Sequence, residues 1–188
     1  MKRQIALGLA TALLGCAKSS AVVSAAPPEK TASDFFALRL GVQWTYEVEQ
    51  LGGKTQKEVE MVRQNREGFF EDSTGALFLA DTFGVRDQKR YLLRNPVSVG
   101  TSWTNVVSVS SVEHYEIVGA REPCATRGGR WDDCVTVESR NPIDAGKALV
   151  NRYTLAPGVG IVTLATQLEI DGRRIPQTRL ELVGFAKR

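Results

Sequence analysis

The sequence predicts an all-β fold, an antiparallel meander of about 8–10 strands curved into a half-barrel, barrel or sandwich. Three observations predict it. Strand-length runs rich in β-branched and aromatic residues succeed one another from position 43 to position 185. Turn residues separate them roughly every 8–14 residues, at Gly52-Gly53, Asn65-Arg66-Glu67-Gly68, Gly128-Gly129, Asp144-Ala145-Gly146, Pro157-Gly158 and Asp171-Gly172. No segment carries an apolar stripe of helical period, apart from one turn around SDFFAL at 33–38.

The runs follow in order. QWTYEVEQ at 43–50 and KTQKEVEMVRQ at 54–64 flank Gly52-Gly53, and ALFLADTF at 76–83 and KRYLLRN at 89–95 come next. SWTNVVSVSSVEHYEIVGA at 102–120 reads as one long alternating stretch, with Val107, Val109, Tyr115 and Ile117 on one face and Ser108, Ser110, His114 and Glu116 on the other. DDCVTVESR at 132–140, ALVNRYTL at 148–155, GIVTLATQLEI at 160–170 and RIPQTRLELVGF at 174–185 complete the series. Asp171-Gly172 is the clearest hairpin signal, since both residues tolerate positive φ. Pro157-Gly158 suits the centre of a type II turn. Pro176 lacks a ladder donor, so its stretch belongs at an edge or a bulge. A faint echo relates 38–48 to 97–107: Gly41/Gly100, Trp44/Trp103, Thr45/Thr104 and Val48/Val107 coincide. Its plain meaning is two similar loop-to-strand starts, each sending a tryptophan into the core.

The chain has 188 residues, enough for one domain, and an ordinary globular composition with 43% hydrophobic residues. Its formal charge of +3 falls to 22 basic against 21 acidic side chains once Lys2 and Arg3 are set aside. No dense basic face stands out, so nucleic acid is not an expected partner. The basic sets Arg86/Lys89/Arg90/Arg94, Arg127/Arg130 and Arg173/Arg174/Arg179 are interrupted and read as solvated strand faces, with contact to anionic lipid headgroups a weaker use.

The N-terminus has the order of an export signal. Lys2 and Arg3 precede an uncharged apolar run at 5–15, shorter than the roughly 20 residues that span a bilayer but suited to a signal core. The run ends in Leu13-Leu14-Gly15-Cys16, which resembles the lipobox of bacterial lipoproteins. That resemblance implies cleavage before Cys16, acylation of its sulfur and amine with palmitate-type chains, and a membrane anchor. Three acyl chains at about 0.8 kcal/mol per buried CH₂ hold such an anchor effectively permanently. Ala17, rather than an aspartate, implies the outer membrane of a Gram-negative cell. Two alternatives stay open: an ordinary signal cut after Ala25 or Ala26, or a structured apolar helix of a cytosolic protein.

The expected organisation is a signal peptide at 1–15, lipidated Cys16 with a flexible Ala/Ser/Pro-rich tether at 16–33, and a single β domain at 34–188. About 18 residues of such tether span roughly 25 Å root-mean-square. With Cys16 carrying lipid, Cys124 and Cys134 remain as an even pair around Gly128-Gly129, a hairpin geometry that would close a disulfide in an oxidising compartment. Two buried or free thiols are the alternative. A zinc pair is disfavoured because His114 is the single histidine.

Chemistry-bearing motifs are scarce. His114 sits on the polar face beside Glu116, where a surface histidine is far commoner than a catalytic base. Asp132-Asp133 and Glu58/Glu60 supply carboxylates that ordinarily face water. No nucleophile elbow, P-loop, zinc-protease or paired-cysteine motif occurs, so no catalytic residue, cofactor or metal site is assigned. Finally, Gly-x-x-Trp-x-Tyr in LGVQWTYEV at 40–48 and Tyr-x-x-x-Pro-Gly-Val-Gly in RYTLAPGVGIV at 152–162 resemble motifs of uncharacterised, β-rich envelope lipoproteins of Gram-negative bacteria. The resemblance implies a curved antiparallel sheet, like the half-barrels of lipoprotein carriers. Three roles follow as expectations: a structural or protein-binding module facing the periplasm, a carrier cupping a lipid or other apolar molecule, and, third, a hydrolase of unknown type. A continuous apolar cavity would favour the carrier, and a filled core around Trp44 and Trp103 the binding module.

Overall fold

A computed structural model describes residues 29–187. The signal, Cys16 and most of the tether lie outside the described residues.

The all-β expectation holds. A single 3₁₀ turn, Ala32–Phe35, is followed by β1 (Val42–Gln50), β2 (Gly53–Gln64), β3 (Phe70–Asp72), β4 (Leu77–Asp81), β5 (Gly84–Arg86) and β6 (Tyr91–Arg94). A second set runs β7 (Ser102–Ser108), β8 (Ser111–Thr126), β9 (Gly129–Asp144), β10 (Lys147–Ala156), β11 (Gly160–Ile170) and β12 (Arg173–Lys187). Among the described residues the strands number twelve rather than 8–10, for two reasons. β3 and β5 are three residues each, too short to show a period. The stretch at 102–120 folds as a hairpin, turning at Val109-Ser110. Val109 is therefore exposed, not on a face shared with Tyr115 and Ile117, while Val107 is half-buried.

All twelve strands form one antiparallel sheet in the order β6-β5-β4-β3-β2-β1-β12-β11-β10-β9-β8-β7. It consists of two six-strand meanders, β1–β6 and β7–β12, joined where β1 pairs with β12. The two starts of the echo open these meanders: Gly41 and Gly100 take φ of 76° and 88°, and Trp44 and Trp103 enter the core three residues later.

The sheet is curved until its edges β6 and β7 face each other. They share no ladder; side chains bridge them instead. Trp103 Nε1 and Asn105 Nδ2 donate to the Tyr91 carbonyl at 2.9 and 3.1 Å, and the Tyr91 amide donates to Asn105 Oδ1 at 3.0 Å. The Tyr153 hydroxyl reaches in from β10 to the Leu92 carbonyl. These bonds satisfy backbone groups that would otherwise be a bare, association-prone edge.

The turn chemistry follows the sequence. Asp171 and Gly172 take φ of 48° and 78°, and Gly158 takes 64°. Pro176 sits at a bulge, where Thr166 pairs with Thr178 but Gln167 with Pro176. A second bulge, between Thr45 and Tyr46 opposite β12, lets the Leu182 carbonyl accept from the Gly128 amide at 3.0 Å. The tip of the β8–β9 hairpin thereby docks back onto β12. A Cβ on Gly128 would meet that carbonyl at 3.0 Å, a tight contact that the absence of a side chain relieves.

The interior holds two apolar clusters. One gathers Phe35, Leu93, Trp103, Tyr115, Ile117, Val137, Tyr153 and Leu155 near the β6–β7 seam. The other gathers Ala37, Val42, Trp44, Met61, Cys134, Val159, Val162 and Leu182. Ala32 and Phe35 of the 3₁₀ turn are fully or almost fully buried, so the packed chain begins ahead of Asp34. Glu29 and Lys30, the first described residues, pair with Arg121 and Asp133.

Candidate functional site

The second cluster is incompletely filled. An apolar cavity of about 170 Å³ lies between β1 and β2 on one side and β11 and β12 on the other. Strand alternation builds its wall: Trp44 and Tyr46 of β1, then Val59 and Met61 of β2, point inward at period two. Phe36, Ala37 and Leu38 line it from the segment after the 3₁₀ turn, and Phe78 from β4. Opposite stand Val159, Gly160, Ile161, Leu164 and Leu180. Two charged residues share the lining, Lys57 of β2 and Asp72 of β3.

The aromatic wall is held by hydrogen bonds that also spend its polar atoms. Trp44 Nε1 donates to the Val159 carbonyl at 2.7 Å, and the Tyr46 hydroxyl to the Ile161 carbonyl at 2.9 Å. Burial, reinforced by the charge of Asp72, pushes the Tyr46 hydroxyl far above its ordinary range, so it stays a neutral donor. What faces the cavity from both rings is carbon.

A second polar centre sits at the β6–β7 seam. Arg90 donates to Glu113 through Nε at 2.8 Å and Nη2 at 3.1 Å, and the Tyr115 hydroxyl donates to Glu113 Oε2 at 2.7 Å. The Glu113 carboxylate raises the Arg90 pKa further. Tyr115 is pushed up by burial and then by that same bond, and Tyr153 by burial first. This network is satisfied from within the protein and braces the closure of the sheet.

The residues singled out from the sequence are dispersed. His114 is exposed on β8, its Nδ1 3.3 Å from Thr104 Oγ1, in a polar surface groove with Glu116, Glu138 and Arg140. Asp133 pairs with Lys30, and Glu60 accepts from Gln43 Nε2 at 2.9 Å. Arg127 is engaged by Glu47 and Glu181, and Arg174 by Glu138 and Glu169. Cys124 and Cys134 form a disulfide with Cα atoms 6.0 Å apart, bracing the β8–β9 hairpin. Among the described residues no group of three His, Cys, Asp or Glu side chains is placed to hold a metal ion. Cys16 lies outside the described residues.

Asp72, Lys57 and Glu113 escaped the sequence reading. For Glu113 a signal existed, since alternation puts it with Tyr115 and Ile117 on the inward face. For Lys57 one existed too, since it alternates with Val59 and Met61; for Asp72 none did, because strand register alone brings it to the cavity.

No family model matches this chain, and no similar curated sequence was found. In structure the chain is similar to a protein of Parabacteroides distasonis assigned as a lipoprotein, at 13% identity and a TM-score of 0.41, over 81% of this chain and 98% of that one. It is also similar to a protein of Bacteroides fragilis assigned as exported and as having a YmcC-like fold, at 14% identity and a TM-score of 0.45, over 81% and 99%. At these values neither likeness transfers a function to this chain.

Proposed function

We propose that this chain is an envelope lipoprotein whose β domain binds a small apolar molecule. In this reading residues 1–15 direct export, acylated Cys16 anchors the chain in the outer membrane, and the domain faces the periplasm. The disulfide supports an oxidising compartment. It also pairs off two of the three cysteines and leaves Cys16 for lipid.

The apolar cavity carries the binding half of the proposal. At about 170 Å³ it is comparable to engineered apolar cavities of about 150 Å³, which bind benzene. It falls short of the roughly 300–1,000 Å³ that encloses a drug-sized ligand. It fits one ring or the end of an acyl chain, with the rest of a larger molecule outside. The lining offers aromatic and aliphatic carbon and two charges, without a nucleophile beside a base, so we read it as a binding site rather than a catalytic one.

The test is mass spectrometry of the full chain extracted from its own membranes, beside Cys16→Ala. The proposal expects acylated Cys16 and a co-extracted apolar compound in the native chain, and no acylation in the variant. Equal fatty-acid labelling of both chains, or of neither, would defeat the anchor, and a ligand-free domain the binding site.

A second reading, the protein-binding module, draws on the hairpin tips. The β1–β2, β7–β8 and β9–β10 turns lie at one end of the antiparallel sheet and expose Leu51, Val109 and Ile143. Envelope cross-linking that survives in native chain but is lost in Val109→Asp/Ile143→Asp would favour it.

A further inference from the structure

One cavity group is left unexplained by the fold. Asp72 is 7% exposed, and its Oδ1 takes three bonds from the turn after β3: the Thr74 amide at 2.8 Å, the Thr74 hydroxyl at 2.7 Å and the Ala76 amide at 3.0 Å. Those bonds shape the turn. Among the described residues no donor reaches Oδ2. Nor is Oδ2 sealed in protein, since the fully buried side-chain atoms without a partner are Arg94 Nε and Asn141 Oδ1. A carboxylate oxygen of a cavity-lining residue that keeps some accessible surface and has no protein donor is free to take one from a ligand.

We infer that the cavity selects a cationic hydrogen-bond donor, such as a primary amine, joined to a compact apolar body. Asp72 Oδ2 receives the cation, and the wall around Trp44, Met61 and Phe78 receives the body. The aromatic faces add to the preference, because ring quadrupoles attract cations and the polar atoms of Trp44 and Tyr46 are already engaged. Lys57 shares the lining but is exposed, so water screens its repulsion of a cation held against Asp72. This inference rests on the proposal that the cavity holds an apolar ligand and adds the charge of the group attached.

The test uses the full chain in lipid nanodiscs and three probes of one apolar body: phenethylamine, phenylacetate and ethylbenzene. Binding is read by tryptophan fluorescence and by ligand-observed NMR. Phenethylamine is expected to bind about ten- to a hundredfold more tightly than the other two, the usual range for a charge-assisted hydrogen bond. Asp72→Asn keeps an Oδ1 acceptor for the turn and is expected to bring the amine down to the level of ethylbenzene. Equal or tighter binding of phenylacetate, or an amine affinity unchanged in Asp72→Asn, would overturn the inference. Ethylbenzene binding as tightly as the amine would leave the apolar site standing and remove the charge selection. Failure of all three probes would remove both.

Discussion

The Trp44 indole donates to the Val159 carbonyl at 2.7 Å, across 115 positions of sequence. That bond, with the one from Tyr46 to Ile161, joins the Gly-x-x-Trp-x-Tyr motif of β1 to the Pro-Gly-Val-Gly turn before β11. Two motifs at opposite ends of the domain are thus one structural unit, and together they form the aromatic wall of the cavity. Trp44→Phe leaves the Val159 carbonyl without its donor and is expected to cost about 1–3 kcal/mol. Trp44→Ala adds a larger void and is expected to cost about 3–5 kcal/mol. Urea unfolding of the two variants checks the order.

The seam between β6 and β7 depends on Arg90 and Glu113. The Glu113 side chain is 10% exposed and that of Arg90 33%, so removing the arginine strands a nearly buried carboxylate. Arg90→Ala is expected to lose about 2–3 kcal/mol. Arg90→Met/Glu113→Leu, which removes both charges, is expected to recover part of that loss. A double variant weaker than Arg90→Ala in thermal unfolding would contradict this account of the seam.

All four tyrosines, at 46, 91, 115 and 153, have hydroxyls that donate within the protein, and burial first of all raises the pKa of each. The folded values lie above the unfolded value of about 10. Their contribution to stability is therefore complete below about pH 10 and is lost as pH rises beyond it. Tyrosinate absorbance is expected to appear together with loss of the folded circular dichroism signal. A tyrosine that ionised freely near pH 10 while the fold persisted would contradict the burial of that ring.

Much of the fold was legible because strands and turns announce themselves locally. Asp171-Gly172 and Pro157-Gly158 specify backbone that few other residues adopt, and Pro176 marks its own bulge. The miss at Val109-Ser110 has a physical cause. Val/Ser alternation runs from Val107 through Ser110 into the turn itself, so periodicity over those residues did not show that the chain reverses there. The candidate site was less legible. Its aromatic wall lay in the two motifs and Lys57 in phase with Val59 and Met61, but Asp72 reaches the cavity only across a turn and a register shift between Met61 and Arg63. The single histidine drew attention, while its neighbour Glu113 was the residue that turned inward.

The disulfide closes a sequence separation of 10 residues at the hairpin that docks onto β12. Chain-entropy arguments assign such a loop about 2–3 kcal/mol. Cys124→Ser/Cys134→Ser is expected to lose about that amount in denaturant unfolding. Reducing agent is expected to destabilise the native chain and leave the variant unmoved.

The most direct test of the central claim is thermal unfolding of the full chain in nanodiscs with increasing ethylbenzene, compared with Leu180→Trp, which fills the cavity from β12. A ligand that binds only the folded chain adds about 2.7 kcal/mol at a hundredfold excess over its dissociation constant. The account predicts a saturable rise in Tm for the native chain and none for Leu180→Trp, with the variant keeping its own cooperative transition. No rise in the native chain, or the same rise in both, would contradict it.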